Sequence, residues 1–133
     1  MLRLAWQGVR KYIHDEVVDA GYELTPAVVG LFRTGGLDGW RPGELAEDML
    51  ISKQAVNDLL RDVEDRGYII READPADGRA RIIRLTNEGR KLEAVVLRAA
   101  HEAERRLERA LGRQRVRDLR GTLQETMRVF DAT

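Results

Sequence analysis

The 133-residue sequence contains no cysteine, which excludes structural disulfides and thiolate zinc sites. It also has no long apolar run, and its N-terminus lacks the hydrophobic region of a signal peptide. We therefore expect a chain without a membrane-spanning helix that stays in the cytoplasm.

Catalytic and metal-binding motifs are also missing. The sequence shows no nucleophile elbow, no glycine-rich phosphate loop and no paired-carboxylate spacing, and the glycines Gly35 and Gly36 read as a helix stop. The two histidines, His14 and His101, each stand beside carboxylates, but isolated histidines are more often surface side chains than metal ligands. We expect neither an enzyme nor a resident metal or cofactor.

The charges balance, with 23 basic and 23 acidic residues, so the chain lacks the overall positive charge typical of nucleic-acid-binding proteins. Any binding to DNA must depend on local clusters. Arginine outnumbers lysine 20 to 3, and arginine can form paired hydrogen bonds with phosphate or guanine. With 43% apolar and 35% charged residues, this length predicts one helix-rich globular domain.

The most informative stretch is an amphipathic helix that begins after Ser52. The Ser52 hydroxyl can accept from a free amide of the first turn, which makes it a good N-cap. Apolar residues then fall in one arc, namely Ala55, Val56, Leu59, Leu60 and Val63. Lys53, Gln54, Asn57 and Arg61 gather in another. These polar side chains match base edges in a major groove, although most polar helix faces are simply solvated.

Sequence on both sides of this helix favours a DNA-binding interpretation. Upstream, residues 41–49 form a short helix, and three residues then lead to Lys53, which is helix-turn-helix spacing. Downstream, β-branched runs at 69–71 and 82–85 flank a turn at 74–78 that contains proline and glycine. The pattern predicts a β-hairpin with an arginine-rich tip.

These segments together resemble the MarR (multiple-antibiotic-resistance regulator) family of winged-helix repressors. Fainter similarity covers residues 24–26 and both terminal helices. The specific matches are Glu44-Leu45-Ala46, Ser52-Lys53-Gln54-Ala55-Val56 and Asp74-Pro75-Ala76-Asp77-Gly78-Arg79-Ala80, running to Leu85-Thr86 and Gly89. The resemblance implies a homodimer that binds double-stranded DNA and is often released by a small phenolic or other lipophilic ligand.

The sequence departs from the family pattern at three places. Leu50 stands where the family usually has glycine in the turn between the two helices. Asn57-Asp58 replaces a frequent threonine-arginine pair, and Gly78 replaces a frequent arginine, so each removes a potential DNA donor. The departures at Asp58 and Gly78 keep an alternative open, in which a helical dimer serves as a ligand-binding or protein-interaction module with weak or lost DNA binding.

The expected fold is mainly α with a small β-hairpin wing (α+β), a winged helix-turn-helix at residues 25–86 between dimerisation helices at 1–24 and 87–133. We expect a first helix over residues 2–20 that stops at Gly21, and a second capped by Thr25 with Pro26 at its first position. Residues 37–40 are expected to form a turn and a short strand. The last two helices are predicted at 87–111, capped by Asn87, and at 115–130.

The candidate DNA contacts lie on the second helix of the helix-turn-helix, just before its first helix, and on the wing. Gln54 and Asn57 are expected to read bases, because amides can pair with adenine in two hydrogen bonds. At the wing we expect the Asp77 carboxylate to orient the guanidinium of Arg79. The full set is Arg41, Ser52, Lys53, Gln54, Asn57, Arg61, Asp77, Arg79 and Arg81.

Both chain ends carry apolar stripes that the small central core cannot cover, so we expect them at a subunit contact. The acidic segment 15–23 and the arginine-rich segment 105–120 are either solvated faces or meet across that dimer. The predicted interface residues are Leu2, Trp6, Val9, Leu119, Leu123, Met127 and Phe130. The family resemblance also implies a ligand pocket, for which Tyr12, His14 and Phe32 are the candidates. Core packing is the alternative for each, and it is favoured most for Phe32.

Overall fold

A computed structural model describes residues 1–33 and 36–131. The elements in chain order are α1 (Leu2–Asp19), α2 (Pro26–Phe32), α3 (Pro42–Met49), α4 (Lys53–Asp65), β1 (Ile69–Asp74), β2 (Asp77–Leu85), α5 (Asn87–Leu111) and α6 (Arg113–Asp131). This mainly helical chain with one antiparallel hairpin confirms the predicted fold class.

The chain divides into two compact units, residues 1–99 and residues 100–133. The first unit holds the helix-turn-helix, the hairpin and the beginning of α5. The second unit holds the end of α5 and α6, with Ala103 and Val116 buried inside it.

Most helix ends are set by local residues, as the sequence predicts. The hydroxyl of Thr25 accepts from the Val28 amide at 3.3 Å, and the hydroxyl of Ser52 accepts from the Ala55 amide at 3.0 Å. Gly21 adopts a positive φ of 100° just after α1. The predicted stop at Gly35 lies outside the described residues.

The start of α5 differs from the prediction. Thr86, rather than Asn87, caps the helix, because its hydroxyl accepts from the Gly89 amide at 3.1 Å. Gly89 is also required by packing, since a Cβ there would lie 1.9 Å from the carbonyl oxygen of Tyr68. That close approach ties α5 to the residue that leads into β1.

The hairpin pairs Ile69 with Leu85 at its base and has a bulge between Ala73 and Asp74 near its tip. The prediction of a short strand at residues 37–40 is wrong, because the sheet in the described chain has two strands. Two backbone hydrogen bonds nevertheless link this segment to Ile83, near the end of β2. The Gly39 amide donates to the Ile83 carbonyl at 2.6 Å, and the Ile83 amide donates to the Trp40 carbonyl at 2.9 Å.

The core of the first unit is formed by the apolar faces of its helices and the inner face of the hairpin. Its largest fully buried side chains include Leu31, Phe32, Leu45, Leu60, Ile83 and Leu92. No helix in the described ranges is both long enough and apolar enough to cross a membrane.

Candidate DNA-binding surface

Helices α3 and α4 form a helix-turn-helix whose turn is Leu50, Ile51 and Ser52. The amides of Leu50 and Ile51 donate back to carbonyls in the last turn of α3, at 3.3 Å to Glu47 and 3.2 Å to Ala46. Leu50 adopts a left-handed conformation, with φ 55° and ψ 40°. This turn closes α3 by the bonding pattern that usually employs glycine.

Helix α4 has the two faces that its sequence predicts. Val56, Leu60 and Val63 are buried and anchor the helix to the first unit. On the opposite side, Lys53, Gln54 and Arg61 are exposed. The first turn of α4 therefore presents polar side chains outward from a fixed backbone.

Asp58 already engages two of the predicted DNA contacts. The amide nitrogen of Gln54 donates to its carboxylate at 2.9 Å, and the guanidinium of Arg61 donates to the same oxygen at 3.2 Å. Asp58 and Arg61 lie three residues apart on α4, about one helical turn, so their side chains can pair and compete with DNA. These exposed pairs are weak enough to exchange for contacts with DNA.

Asn57 is more constrained than its neighbours. Its amide nitrogen donates to the Lys53 carbonyl at 2.9 Å, and its amide oxygen accepts from the Arg71 guanidinium at 3.2 Å. Arg71 lies on β1 and also sits 3.6 Å from the Glu64 carboxylate. Sequence reasoning missed Arg71, since no local pattern shows that a strand residue reaches α4.

Arg41 connects the start of α3 to the tip of the hairpin, because its guanidinium donates to the carboxylate of Asp74. Asp74 is only 7% exposed, and its other oxygen accepts from the Ala76 amide at 2.9 Å. The Ala76 amide, with the Arg41 guanidinium, holds the pKa of Asp74 below its usual value. Arg41 was predicted to contact DNA, and here it braces the wing.

The wing tip differs from its prediction in one contact. The carboxylate of Asp77 accepts from the backbone amide of Arg79 at 3.1 Å, so it orients the main chain rather than the guanidinium. Arg79 and Arg81 are exposed, and neither has an ion-pair partner within residues 1–33 and 36–131. Arg84, by contrast, lies 3.4 Å from carboxylates of both Asp38 and Glu72.

A cleft of about 230 Å³ in the first unit is lined by Gln7, Arg10, Lys11, His14 and Pro26. The Nε2 atom of His14 lies 2.6 Å from the carbonyl oxygen of Leu24. Because a carbonyl oxygen can only accept, Nε2 is the donor of this hydrogen bond. Of the three predicted ligand residues, His14 alone lines this cleft. Phe32 is fully buried in the core, and Tyr12 is half-buried away from the cleft lining.

Sequence reasoning missed two arginines of the first unit, Arg33 and Arg10, of which Arg10 lines the cleft. Arg33 stacks over the Trp6 ring at 4.6 Å. The Nη1 atom of Arg33 and the Nε atom of Arg10 are buried and have no hydrogen-bond partner among the described residues. Burial and the nearby charge of Arg10 lower the pKa of Arg33. Their positive charges are therefore uncompensated within the described chain.

The predicted interface residues are exposed in each unit, apart from Val9, which is half-buried. In the first unit Leu2 is 62% exposed, and Trp6 is also accessible. In the second unit Met127 is 63% exposed, with Leu119, Leu123 and Phe130 also accessible. Each unit thus leaves an apolar helix stripe uncovered in the single chain.

A helix-turn-helix with an exposed polar second helix, followed by an arginine-bearing hairpin, defines a winged-helix DNA-binding protein. Residues 31–80 match the MarR family in a comparison with protein families. Over the helix-turn-helix and β1 this chain is therefore similar to the MarR family of transcriptional regulators.

Solved structures have the same fold. A probable transcriptional regulator from Pseudomonas aeruginosa is 28% identical, with 94% of this chain and 92% of that chain covered and a TM-score of 0.74. A MarR transcriptional regulator from Methanosarcina mazei Go1 is 21% identical, with 95% and 90% covered and a TM-score of 0.80. CouR from Rhodococcus jostii RHA1, bound to p-coumaroyl-CoA, is 24% identical, with 94% and 87% covered and a TM-score of 0.73. A comparison with curated proteins found no match.

Proposed function

We propose that this protein is a sequence-specific repressor that acts in the cytoplasm as a homodimer on a palindromic DNA operator. The observation that carries the proposal is the first turn of α4, which presents Lys53 and Gln54 outward from a helix anchored in the core. Arg79 and Arg81 supply unneutralised positive charge on the wing. Helix and wing together suit one major groove and the adjoining backbone or minor groove.

The dimer is supported by the uncovered apolar stripes. Burying one large apolar side chain contributes roughly 1.5–3 kcal/mol, so a second copy that covers them would be held firmly. A two-fold dimer would place two copies of α4 about 34 Å apart, which matches half-sites one turn of DNA apart. The operator would therefore be palindromic.

Control by a small lipophilic or phenolic ligand is the finer part of the proposal. The cleft beside His14 and the unpaired nitrogens of Arg10 and Arg33 would suit such a molecule with an anionic end. A ligand would act only if it bound the DNA-competent and the incompetent dimer with different affinity. A panel of phenolic acids should raise the melting temperature and release DNA. If it does neither, the ligand proposal fails and the DNA proposal stands.

One observation favours the alternative of a ligand-binding or protein-interaction module with weak DNA binding. Asp58 occupies donors of both Gln54 and Arg61 and adds negative charge to the face that would meet DNA. If that charge dominates, phosphate repulsion would keep α4 out of the groove.

Gel retardation of a fragment from upstream of the protein's own gene, at moderate salt with competitor DNA, tests the proposal. The wild type should retard this fragment and not a scrambled one. Asp58→Ala should bind both more tightly, because it frees Gln54 and Arg61 and removes a negative charge. If neither protein retards any duplex, the alternative is favoured.

A further inference from the structure

Leu50 is the one non-glycine residue with a positive φ in the described chain. The left-handed conformation brings an L residue's Cβ too close to its own backbone, whereas glycine adopts it freely. The hydrogen bonds that Leu50 and Ile51 donate to α3 are backbone bonds, which glycine would form equally well. Closure of the helix therefore does not explain a leucine here.

Packing does not explain it either. The side chain of Leu50 is 91% exposed, so folding gains almost nothing from its apolar surface. Ile51 beside it is 38% exposed. The turn thus holds a strained apolar side chain out in water. Backbone strain that no packing or hydrogen bonding in the folded chain offsets is typical of binding sites.

The position of Leu50 in the helix-turn-helix indicates which part of DNA its side chain would contact. It lies two residues before Ser52, the N-cap of α4, whose first turn carries Lys53 and Gln54. In a helix-turn-helix this end of the second helix approaches the base edges of the major groove. The thymine methyl group is the apolar feature that this groove displays, and apolar side chains recognise it.

We propose that Leu50, with Ile51 beside it, contacts the C5-methyl group of a thymine at the edge of the site read by α4. Leu50 is then a specificity-determining residue that adds an apolar contact to the hydrogen bonds expected of Gln54. This inference rests on the proposed DNA-binding function.

The test uses a duplex selected by the wild-type protein from a randomised pool, with each thymine replaced in turn by deoxyuridine. This replacement removes one methyl group and leaves base pairing intact. Wild-type affinity should fall roughly fourfold at one thymine in each half-site, the amount expected for one buried methyl group. Leu50→Gly should bind the thymine and deoxyuridine duplexes equally. Its melting temperature should not fall, since glycine suits this φ.

Two further variants separate apolar contact from a change of backbone. Leu50→Asn keeps a side chain that tolerates the left-handed region but is polar, so it should also lose the distinction between thymine and deoxyuridine. Val18→Ala, which shortens an exposed apolar residue on α1, should keep the wild-type distinction.

The outcomes also separate this inference from the proposed function. If the wild type binds the selected duplex but ignores every thymine methyl group, the inference is overturned while DNA binding stands. If Leu50→Gly still binds the thymine duplex more tightly than the deoxyuridine duplex by the wild-type factor, the inference is also overturned while DNA binding stands. If the wild type selects no duplex at all, the proposed function fails and the inference fails with it.

Discussion

At the scale of single residues, Asp74 joins the start of α3 to the wing and gives the fold a specific dependence on acid. Its carboxylate accepts from the Ala76 amide and the Arg41 guanidinium, both of which favour the charged form. The pKa of Asp74 is therefore lower in the folded chain than in the unfolded one. The stability it contributes is complete above the unfolded pKa of about 3.9 and is lost as pH falls through the folded pKa.

We accordingly expect Asp74→Asn to lower the stability at pH 7 and to differ less from wild type at pH 3. Urea unfolding at a series of pH values measures this difference, and comparison with wild type cancels the other carboxylates. If Asp74→Asn loses the same free energy of unfolding at pH 7 and at pH 3, Asp74 stabilises the fold through packing or neutral hydrogen bonds rather than through its charge.

Most hydrogen-bond and ion-pair partners of individual side chains could not be predicted from the sequence. The sequence placed Arg41 and Asn57 at the surface near the helix-turn-helix, as the structure has them. Their partners Asp74 and Arg71 lie 33 and 14 residues away, so the pairings exist only once the hairpin is folded against the helices. The usual glycine of the family marked the place of Leu50 in the turn, but the left-handed conformation was not predicted, because backbone sterics disfavour it for leucine.

At the scale of elements, the hairpin separates an arginine available for DNA from an arginine that braces the strands. Arg79 is exposed and without an ion-pair partner in the described residues, so it can meet a phosphate or a narrow minor groove. Arg79→Ala should weaken binding to every duplex and reduce the magnitude of the salt slope by about one for each lost contact. Titrations by fluorescence anisotropy between low and moderate salt measure that slope.

Arg84 provides the matched control because it pairs with Asp38 and Glu72 in the same hairpin region. Arg84→Ala should lower the melting temperature and leave the salt slope near the wild-type value. A lower melting temperature with an unchanged slope for Arg79→Ala would instead assign Arg79 a bracing role.

Elements were more predictable than pairings because their signals are local. Thr25 and Ser52 cap helices through amides three residues away, and Gly21 follows the end of α1 with a positive φ. The expected strand at residues 37–40 failed for a non-local reason. That segment makes two backbone hydrogen bonds to Ile83 and then turns into α3, which is too little pairing for a strand.

At the scale of the whole molecule, we expect a dimer at micromolar concentration in sedimentation. Leu123→Glu should shift the protein toward monomer, because it places a charge on an apolar stripe that a second copy would bury. Gln124→Glu adds the same charge at the neighbouring exposed polar position and should leave the dimer intact. A wild-type monomer, or an equal effect of the two substitutions, would contradict this use of α6.

Gln54 is the side chain of α4 that we expect to contribute most to reading DNA sequence. The measurement is the ratio of affinities for the selected duplex and for a scrambled duplex of the same length, at one salt concentration. A glutamine that pairs with adenine is worth about 1–3 kcal/mol of discrimination, so Gln54→Ala should reduce this ratio by roughly 5- to 150-fold. Affinity for the scrambled duplex should stay near the wild-type value. An unchanged ratio would contradict the assignment of base reading to this face of α4.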